Sequence, residues 1–503
     1  MRVLWDIFRL FPTMRPQIQF EARRMAMAFY IRKFNRIIHS PWMVGILGLF
    51  TFIAFAFSRE VEFYTFVALY TIYVGLFAED LSPIIPLFPL CYVTPSFSNN
   101  PGLSNEGMFF GKTAIYLVSI VSVAVAVLIF RIILDKDFGL RRLFTKKRAL
   151  LGGILALGAA YFLSGIGYET YLENAKRNIF FAFIQFASIF LLYFILSATT
   201  KWDQFNLDYF AWVGLIVGLV VSAEVLWLYF ANNVFVDGVI NRGMIFTGWG
   251  CCNNIGAMIS MSIPFAFYFV SRKKHPTVFL CIALFLFIAV ILSTSRGSLV
   301  GALYAFIACF IFANSHALNK KEVRVASIIL LGIIITIALL PDKTHIEKFK
   351  QILTIAYVED GSLVIRDSGR LDIYKAGLKI FLDNPIFGEG FFTSYPGLFT
   401  LAQTKEFTSF FPPRWHNTIV QILASCGGVG ILAYAYHRFG TIRLYVQKQT
   451  VANTHILHFI ITLLIMSLLD CHFFNIGPVF LYSTALAVME FGEEDDYTNY
   501  LYY

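Results

Sequence analysis

Apolar runs of membrane-crossing length, separated by short polar turns, repeat along almost the whole chain. They cover approximately 42–58, 62–78, 114–133, 149–167, 178–197, 210–230, 252–270, 277–293, 297–314, 325–340, 416–436, 453–470 and 474–490. A helix of about 20 apolar residues crosses ~30 Å of hydrocarbon, so each run predicts a crossing. One further apolar stretch, LSPIIPLFPLCYVTPS at 81–96, carries four prolines. Proline removes a backbone donor and kinks a helix, which predicts a broken crossing there.

The polar segments sort by charge. The N-terminal arm, 131–148, SRKKH at 271–275, NKKEVR at 319–324 and HRFGTIRLYVQK at 437–448 are the basic ones. All fall on one side if 81–96 crosses once, and the positive-inside bias makes that side cytoplasmic. The expectation is an all-α polytopic membrane protein of about 12–14 transmembrane helices, both termini inside. Residues 1–40 form a basic amphipathic arm along the inner surface, 41–340 the main bundle, 341–415 a large extracytoplasmic loop, 416–490 the last crossings and 491–503 a cytoplasmic tail.

Composition agrees. The 503 residues are 58% hydrophobic and 14% charged, with mean hydropathy +0.69; soluble domains average about a quarter charged residues. The net charge of +9 sits in the basic loops and is a topology signal, not a nucleic-acid footprint. Seven scattered cysteines show no CxxC spacing and read as small buried hydrophobes.

The long loop has structure of its own. EKFKQILTIAY (347–357) and RLDIYKAGLKIFL (370–382) carry apolar residues at helical spacing, the second with Ile373, Tyr374, Gly377, Ile380 and Phe381 on one face. Asp383-Asn384-Pro385 stops that helix, and Phe387-Gly-Glu-Gly reads as a flexible bend. Two short amphipathic helices over a bundle mouth predict a lid or platform.

The candidate chemistry collects on the extracytoplasmic face. Arg242 precedes a span that carries Asn253 and Asn254, amides that need polar partners inside a membrane. Arg296 lies in the tight turn LSTSRGSLVGA, where Ser293, Ser295, Gly297, Ser298 and Gly301 let helices approach closely. It sits against the positive-inside bias, so topology does not explain it. Arg370 opens an amphipathic helix, where the macrodipole disfavours a cation; an anion or a salt bridge to Asp367 or Asp372 would account for it. Arg366 and Arg414 are weaker candidates. His416 follows Pro412-Pro413-Arg414-Trp415, with Trp415 predicted as an interfacial anchor, and an imidazole accepts protons near neutral pH. His455, His458 and His472 lack such company and read as structural. No metal motif, P-loop or GxGxxG is present. A nucleotide-linked donor is therefore a poor fit, and a lipid-linked diphosphate among arginines a good one.

Four stretches resemble the O-antigen ligase/polymerase superfamily of bacterial membrane glycosyltransferases, which have a GT-C-like fold. They are NRGMIFTGWGCCNNIGAM, ILSTSRGSLVGAL, RLDIYKAGLKIFLDNPIFGEGFFTSY and HNTIVQILASCGGVGILAYAY, together covering about 240–436. The resemblance implies transfer of a glycan from an undecaprenyl-diphosphate donor to a glycan or a lipid- or protein-anchored acceptor. It implies no cofactor and no metal, and polysaccharide-assembly proteins as further partners. The setting implied is the outer face of a bacterial cytoplasmic membrane. On this chain it assigns the diphosphate to Arg242 and Arg296, with Arg370 doing the same or positioning the lid. It makes His416 the base on the acceptor hydroxyl and Asn417 its orienter or the helix cap. Asn254 and Arg414 complete the expected substrate contacts, while Glu389, between Gly388 and Gly390, has no role assigned. The competing class is a lipid-linked oligosaccharide flippase or another transporter. Transporters usually show internal repeats and midplane polar sites, neither of which the sequence displays.

Overall fold

The computed structural model describes residues 34–95, 112–134, 140–325, 328, 356–391 and 415–493, less short gaps at 170, 233, 237–238, 274, 318, 360–361 and 366–369. The described helices are α1 (Pro41–Ala56), α2 (Glu60–Phe77), α3 (Leu87–Val93), α4 (Lys112–Leu134), α5 (Leu140–Thr145), α6 (Leu151–Phe162), α7 (Tyr171–Thr199), α8 (Gln204–Ala231), α9 (Cys252–Arg272), α10 (Pro276–Leu292), α11 (Arg296–His316), α12 (Arg370–Asp383), α13 (Thr418–Gln447), α14 (Val451–Ser467) and α15 (Ile476–Phe491). Seven helices are long and apolar enough to cross a membrane, and six shorter apolar helices accompany them among the described residues. The protein is an all-α polytopic membrane protein, as its hydrophobic pattern predicts. Two small antiparallel hairpins lie in its loops: β1 (Phe235–Val236) with β2 (Val239–Ile240), and β3 (Ala356–Glu359) with β4 (Ser362–Ile365). The end of the helix expected over 347–357 is thus strand. The remainder of that helix, nearly all of the 325–340 run, Arg366 and Arg414 lie outside the described residues.

The core is built around α9, which contacts α8, α10, α11 and α14 and is buried along nearly its whole length. Small residues permit this. A Cβ on Gly218 would come within 2.3 Å of Ser262, and one on Gly256 within 2.6 Å of Ser293. Without a strong hydrophobic force between helices in lipid, such close contact is how they associate. Ser260 also donates across to the Ser298 carbonyl at 2.9 Å.

The proline-rich segment traverses the bundle in broken form. Leu81 N–H donates to the Thr199 carbonyl, at the end of α7, whereas Gly248 N–H donates to the Pro95 carbonyl, beside the start of α9. Those are opposite ends of the bundle. Between them lie a 3₁₀ turn at Ser82–Ile84 and α3. Seven residues of helix rise only ~10 Å; the 3₁₀ turn and the flanking residues Ile85, Pro86 and Thr94, all with helical dihedrals, continue the path inside the protein.

Three local expectations change. The stretch 437–448 is not a basic loop; all but its last residue continue α13 to Gln447. His437 is fully buried and its Nε2 meets the Tyr482 hydroxyl at 2.7 Å. The Arg438 guanidinium lies over Tyr434, Phe473 and Tyr482, at 4.6, 4.6 and 5.0 Å from the ring centres, and donates to Tyr482 Oη at 2.8 Å. Aromatic faces stabilise a desolvated guanidinium, which is why this cation sits inside the bundle. Trp415 is no interfacial anchor either: it is fully buried, packed with Val420 and Ala424 against Ile373, Tyr374, Ala376 and Ile380 of α12. That contact docks the amphipathic helix with nearly the face its spacing predicts.

The third change concerns Phe387-Gly-Glu-Gly, which is docked rather than flexible. Helix α13 is interrupted at Gly427, whose backbone is non-helical at φ 62° and ψ −156°. The 385–390 segment fills the break: Glu389 and Gly390 N–H donate to the Ala424 and Ser425 carbonyls at 2.9 Å, and Gly428 and Val429 donate back to Pro385 and Ile386. Gly388 lies so close that a Cβ would meet the Ala424 oxygen at 2.6 Å. Gly427→Ala should therefore destabilise the fold by at least the ~1–3 kcal/mol of a strained backbone position, since its Cβ would also approach the Ile386 oxygen to 2.4 Å. The check is a lowered melting temperature of the purified protein, with proteolysis appearing first in the 385–391 segment.

Candidate functional site

The third and fourth sequence motifs interlock through that break, and their interlocking sets the position of His416. Asn417 is the N-cap of α13, its Oδ1 accepting from Ile419 and Val420 N–H at 2.8 and 3.2 Å. Its Nδ2 donates to the Leu468 carbonyl at 2.9 Å. Of the two roles expected for Asn417, the structure displays the cap. Immediately before it, His416 sits at φ 50°, a conformation costly for a non-glycine residue. Its neighbours hold it there. Trp415 is buried with its N–H on Gln421 Oε1 at 3.2 Å, and the Tyr374 hydroxyl of α12 donates to the His416 carbonyl at 2.9 Å.

The imidazole meets a residue that the sequence did not single out. His416 Nδ1 lies 3.2 Å from Asp470 Oδ1, in the short link between α14 and α15. Asp470 Oδ1 also accepts from the Cys471 N–H at 2.7 Å, and its Oδ2 from Asn253 Nδ2 at 3.0 Å. Arg370 approaches the same oxygen at 3.8 Å and donates to the Leu469 carbonyl. The salt bridge foreseen for Arg370 exists, with Asp470; Asp372 pairs with Lys375 at 3.6 Å, and Asp367 lies outside the described residues. Burial alone would push the Asp470 carboxyl up. The hydrogen bond with His416, the nearby His472 and His416 charges and the Cys471 amide outweigh it and hold the group well below the usual carboxylate range.

Asn253 extends the cluster to the other two motifs. Its Oδ1 accepts from Arg242 Nη2 at 2.9 Å and from the Ser295 hydroxyl at 3.2 Å, and its backbone carbonyl accepts from Ser298 Oγ at 3.2 Å. Arg242 Nε also donates to Cys252 Sγ at 3.0 Å. Ser295 caps α11 and Arg296 is that helix's first residue. The turn before it passes through Thr294 at φ 59°, a second strained position. A Cβ on Gly297 would touch Leu469 at 3.2 Å, so the Arg296 turn lies directly against the Asp470 link. Asn254 points elsewhere, accepting from Asn475 Nδ2 at 2.9 Å; Asn475 in turn contacts His472 Nδ1 at 3.2 Å. His472 is thus tied to the cluster from behind, although its sequence context suggested isolation. Arg242, Arg370, His416 and the Arg296 turn converge at one end of the bundle, with Asn254 and Asn417 in the supporting layer.

Two polar residues escaped the sequence reading. Asp470 borders an apolar run and looks like its last residue. Glu224 is buried within α8, with Oε2 accepting from Trp249 Nε1 at 3.2 Å. Trp249 belongs to the turn that delivers Cys252 and Asn253. An isolated acid inside an apolar stretch was the available signal.

A half-exposed imidazole backed by a buried carboxylate, beside two guanidiniums held on other elements, can take a proton and neutralise an anionic group. Such a layout has the groups that transfer at a membrane surface would use. Residues 281–435 match the family Wzy_C, described as O-Antigen ligase, a finding that agrees with the resemblance read from the sequence motifs. An O-antigen ligase-type function on a lipid-linked glycan, in a membrane setting, accompanies that family. No curated protein matches the chain. The matched stretch contains Arg296, Arg370 and His416, whereas Arg242, Asn253 and Asp470 lie outside it and are joined to it by the contacts above.

Asp470→Asn keeps the shape and removes the charge. Removing one member of a buried ion pair costs about 3–5 kcal/mol, so the variant should melt at lower temperature at neutral pH. Because the folded carboxyl is depressed, its stabilisation is present above the ordinary value of 3.8 and is lost as pH falls below it. Melting curves from pH 7 downward should show wild type losing part of its advantage over the variant in the acid range.

Proposed function

We propose that the protein is a metal-independent glycosyltransferase. It would move a glycan from an undecaprenyl-diphosphate carrier to a hydroxyl of a growing glycan or of a lipid- or protein-anchored acceptor. The observation carrying this reading is the convergence of Arg242, Arg370, His416 and the Arg296 turn around Asp470. The site end is the outer face of the cytoplasmic membrane on the basic-loop bookkeeping, with both termini inside.

Asp470 engages His416 Nδ1 and so leaves Nε2 to the acceptor. In the step envisaged, Nε2 removes the acceptor hydroxyl proton as the oxygen attacks the anomeric carbon. The bond from that carbon to the diphosphate oxygen breaks, and the carrier leaves as its diphosphate. Asp470 stabilises the imidazolium that forms, as an orienting carboxylate does in acyl-transfer triads. Arg242 and Arg296 meet the negative charge that develops on the leaving group. Arg370, bound to Leu469 and Asp470, holds α12 in place. Its role is to position the lid, one of the two uses foreseen for it.

The test is release of polyprenyl diphosphate, with glycan transfer, by purified protein in the presence of a chelator. General-base removal costs roughly 10²–10⁴ in rate, so His416→Ala should fall by that much. Loss of a donor to the developing oxyanion costs about 10²–10³, the expectation for Arg242→Ala and Arg296→Ala. The length ladder of the products distinguishes polymerase from ligase. Equal turnover in His416→Ala would remove this histidine from the mechanism. Movement of intact donor across vesicles, without transfer by any form, would favour the flippase.

A further inference from the structure

Next to the guanidinium assigned to the donor stand two adjacent thiols, Cys251 and Cys252, both free in this structure. Cys252 is buried, and its Sγ accepts from Arg242 Nε at 3.0 Å. Cys251 is half-exposed and occupies the N-cap of α9 without a side-chain capping bond. The N–H groups of Asn253 and Asn254 at the helix N-terminus stabilise charge on its sulfur. We propose that the Cys251–Cys252 pair is an oxidation site that gates the donor pocket: joining the two sulfurs withdraws the Cys252 thiol from Arg242 and weakens diphosphate binding. This rests on the reading of Arg242 as a diphosphate ligand.

The chemistry needs a two-electron oxidant, for which a peroxide suffices. The accessible Cys251 thiolate attacks one peroxide oxygen; the O–O bond breaks, and after protonation water leaves and a sulfenic acid remains. The Cys252 thiol then displaces hydroxide from that sulfur, its own proton completing a second water, and the S–S bond forms. Two thiols are oxidised and one peroxide is reduced to two waters.

Several observations single out this pair. The hydrogen bond with Cys252 and the Asn253 and Asn254 amides outweigh burial and the Asp470 charge, lowering the Cys251 thiol below its ordinary value. Cys309, Cys426 and Cys471 are buried, and the more accessible Cys91 and Cys281 have no cysteine beside them in the sequence. Adjacent Cα atoms stand ~3.8 Å apart, closer than the ~4.4–6.8 Å of relaxed disulfides. A bond between these neighbours is therefore strained and easily reduced, the property of a reversible site. On the outer face proposed above, the pair would also meet an oxidising environment.

The experiment treats full-length protein in lipid nanodiscs with hydrogen peroxide and then dithiothreitol. It follows the mass of the peptide containing both cysteines, the affinity for inorganic diphosphate, and transfer. The expected result is loss of two hydrogens from that peptide. Diphosphate binding should weaken about tenfold, the size of one lost charged hydrogen bond, and dithiothreitol should restore it. Cys251→Ser, which places a better N-cap there, should bind diphosphate as wild type does and be indifferent to peroxide. A peptide that stays unmodified, affinity unchanged after the disulfide forms, or equal sensitivity in Cys251→Ser would each overturn the proposal. Absence of transfer by the untreated protein would count against the transferase alone, because mass and affinity still judge the thiol pair.

Discussion

A buried carboxylate organises the candidate site. Asp470 lies in a link between two helices, yet it touches groups from three other parts of the chain, His416, Arg370 and Asn253, besides its own neighbour Cys471. An anion without such partners would not be tolerated among apolar helices. Its partners are equally bound by it, since one of them, Arg370, is a cation. The helix ends meet at one mouth of the bundle because this charge has to be satisfied there.

Much of the architecture around that point serves to deliver side chains to it. The break at Gly427 admits the 385–390 segment, which carries α12 back over the start of α13. Buried Trp415 and the Asn417 cap then leave His416 in a strained conformation facing the carboxylate. On the opposite flank, the serine-rich turn at 293–298 ties the Arg296 helix to Asn253. Arg438, beneath Phe473, supports the turn that follows Asp470 with aromatic contacts instead of a counter-ion. Two strained residues, His416 and Thr294, sit in this region, as backbone strain does where geometry is held for a purpose.

The crossings and the pieces of the site were legible because their signals are local. Hydrophobic runs report helices, a lone arginine in a serine-glycine turn is conspicuous, and the apolar spacing of 370–382 specifies the face that docks. What was hidden depends on partners distant in sequence. Asp470 looks like the end of a span, and only the fold makes it the hub. Asn253 and Asn254 are equivalent by sequence, but the turn of α9 gives Asp470 to the first and Asn475 to the second. The 387–390 segment looked mobile because the carbonyls that take the Glu389 and Gly390 amides belong to residues 424 and 425. Arg438 fitted a basic loop until three aromatic rings enclosed it.

The central claim is that His416 and Asp470 act as one unit in transfer, and a double-mutant cycle tests it most directly. Single-turnover rates would be measured for wild type, His416→Ala, Asp470→Asn and the double variant, with cognate donor and acceptor. Groups that work together are strongly non-additive. The account predicts a double variant no slower than His416→Ala to within about threefold, since contacting residues couple by ~0.5–3 kcal/mol. Losses that multiply would contradict it, and would assign Asp470 a role in the fold independent of the histidine.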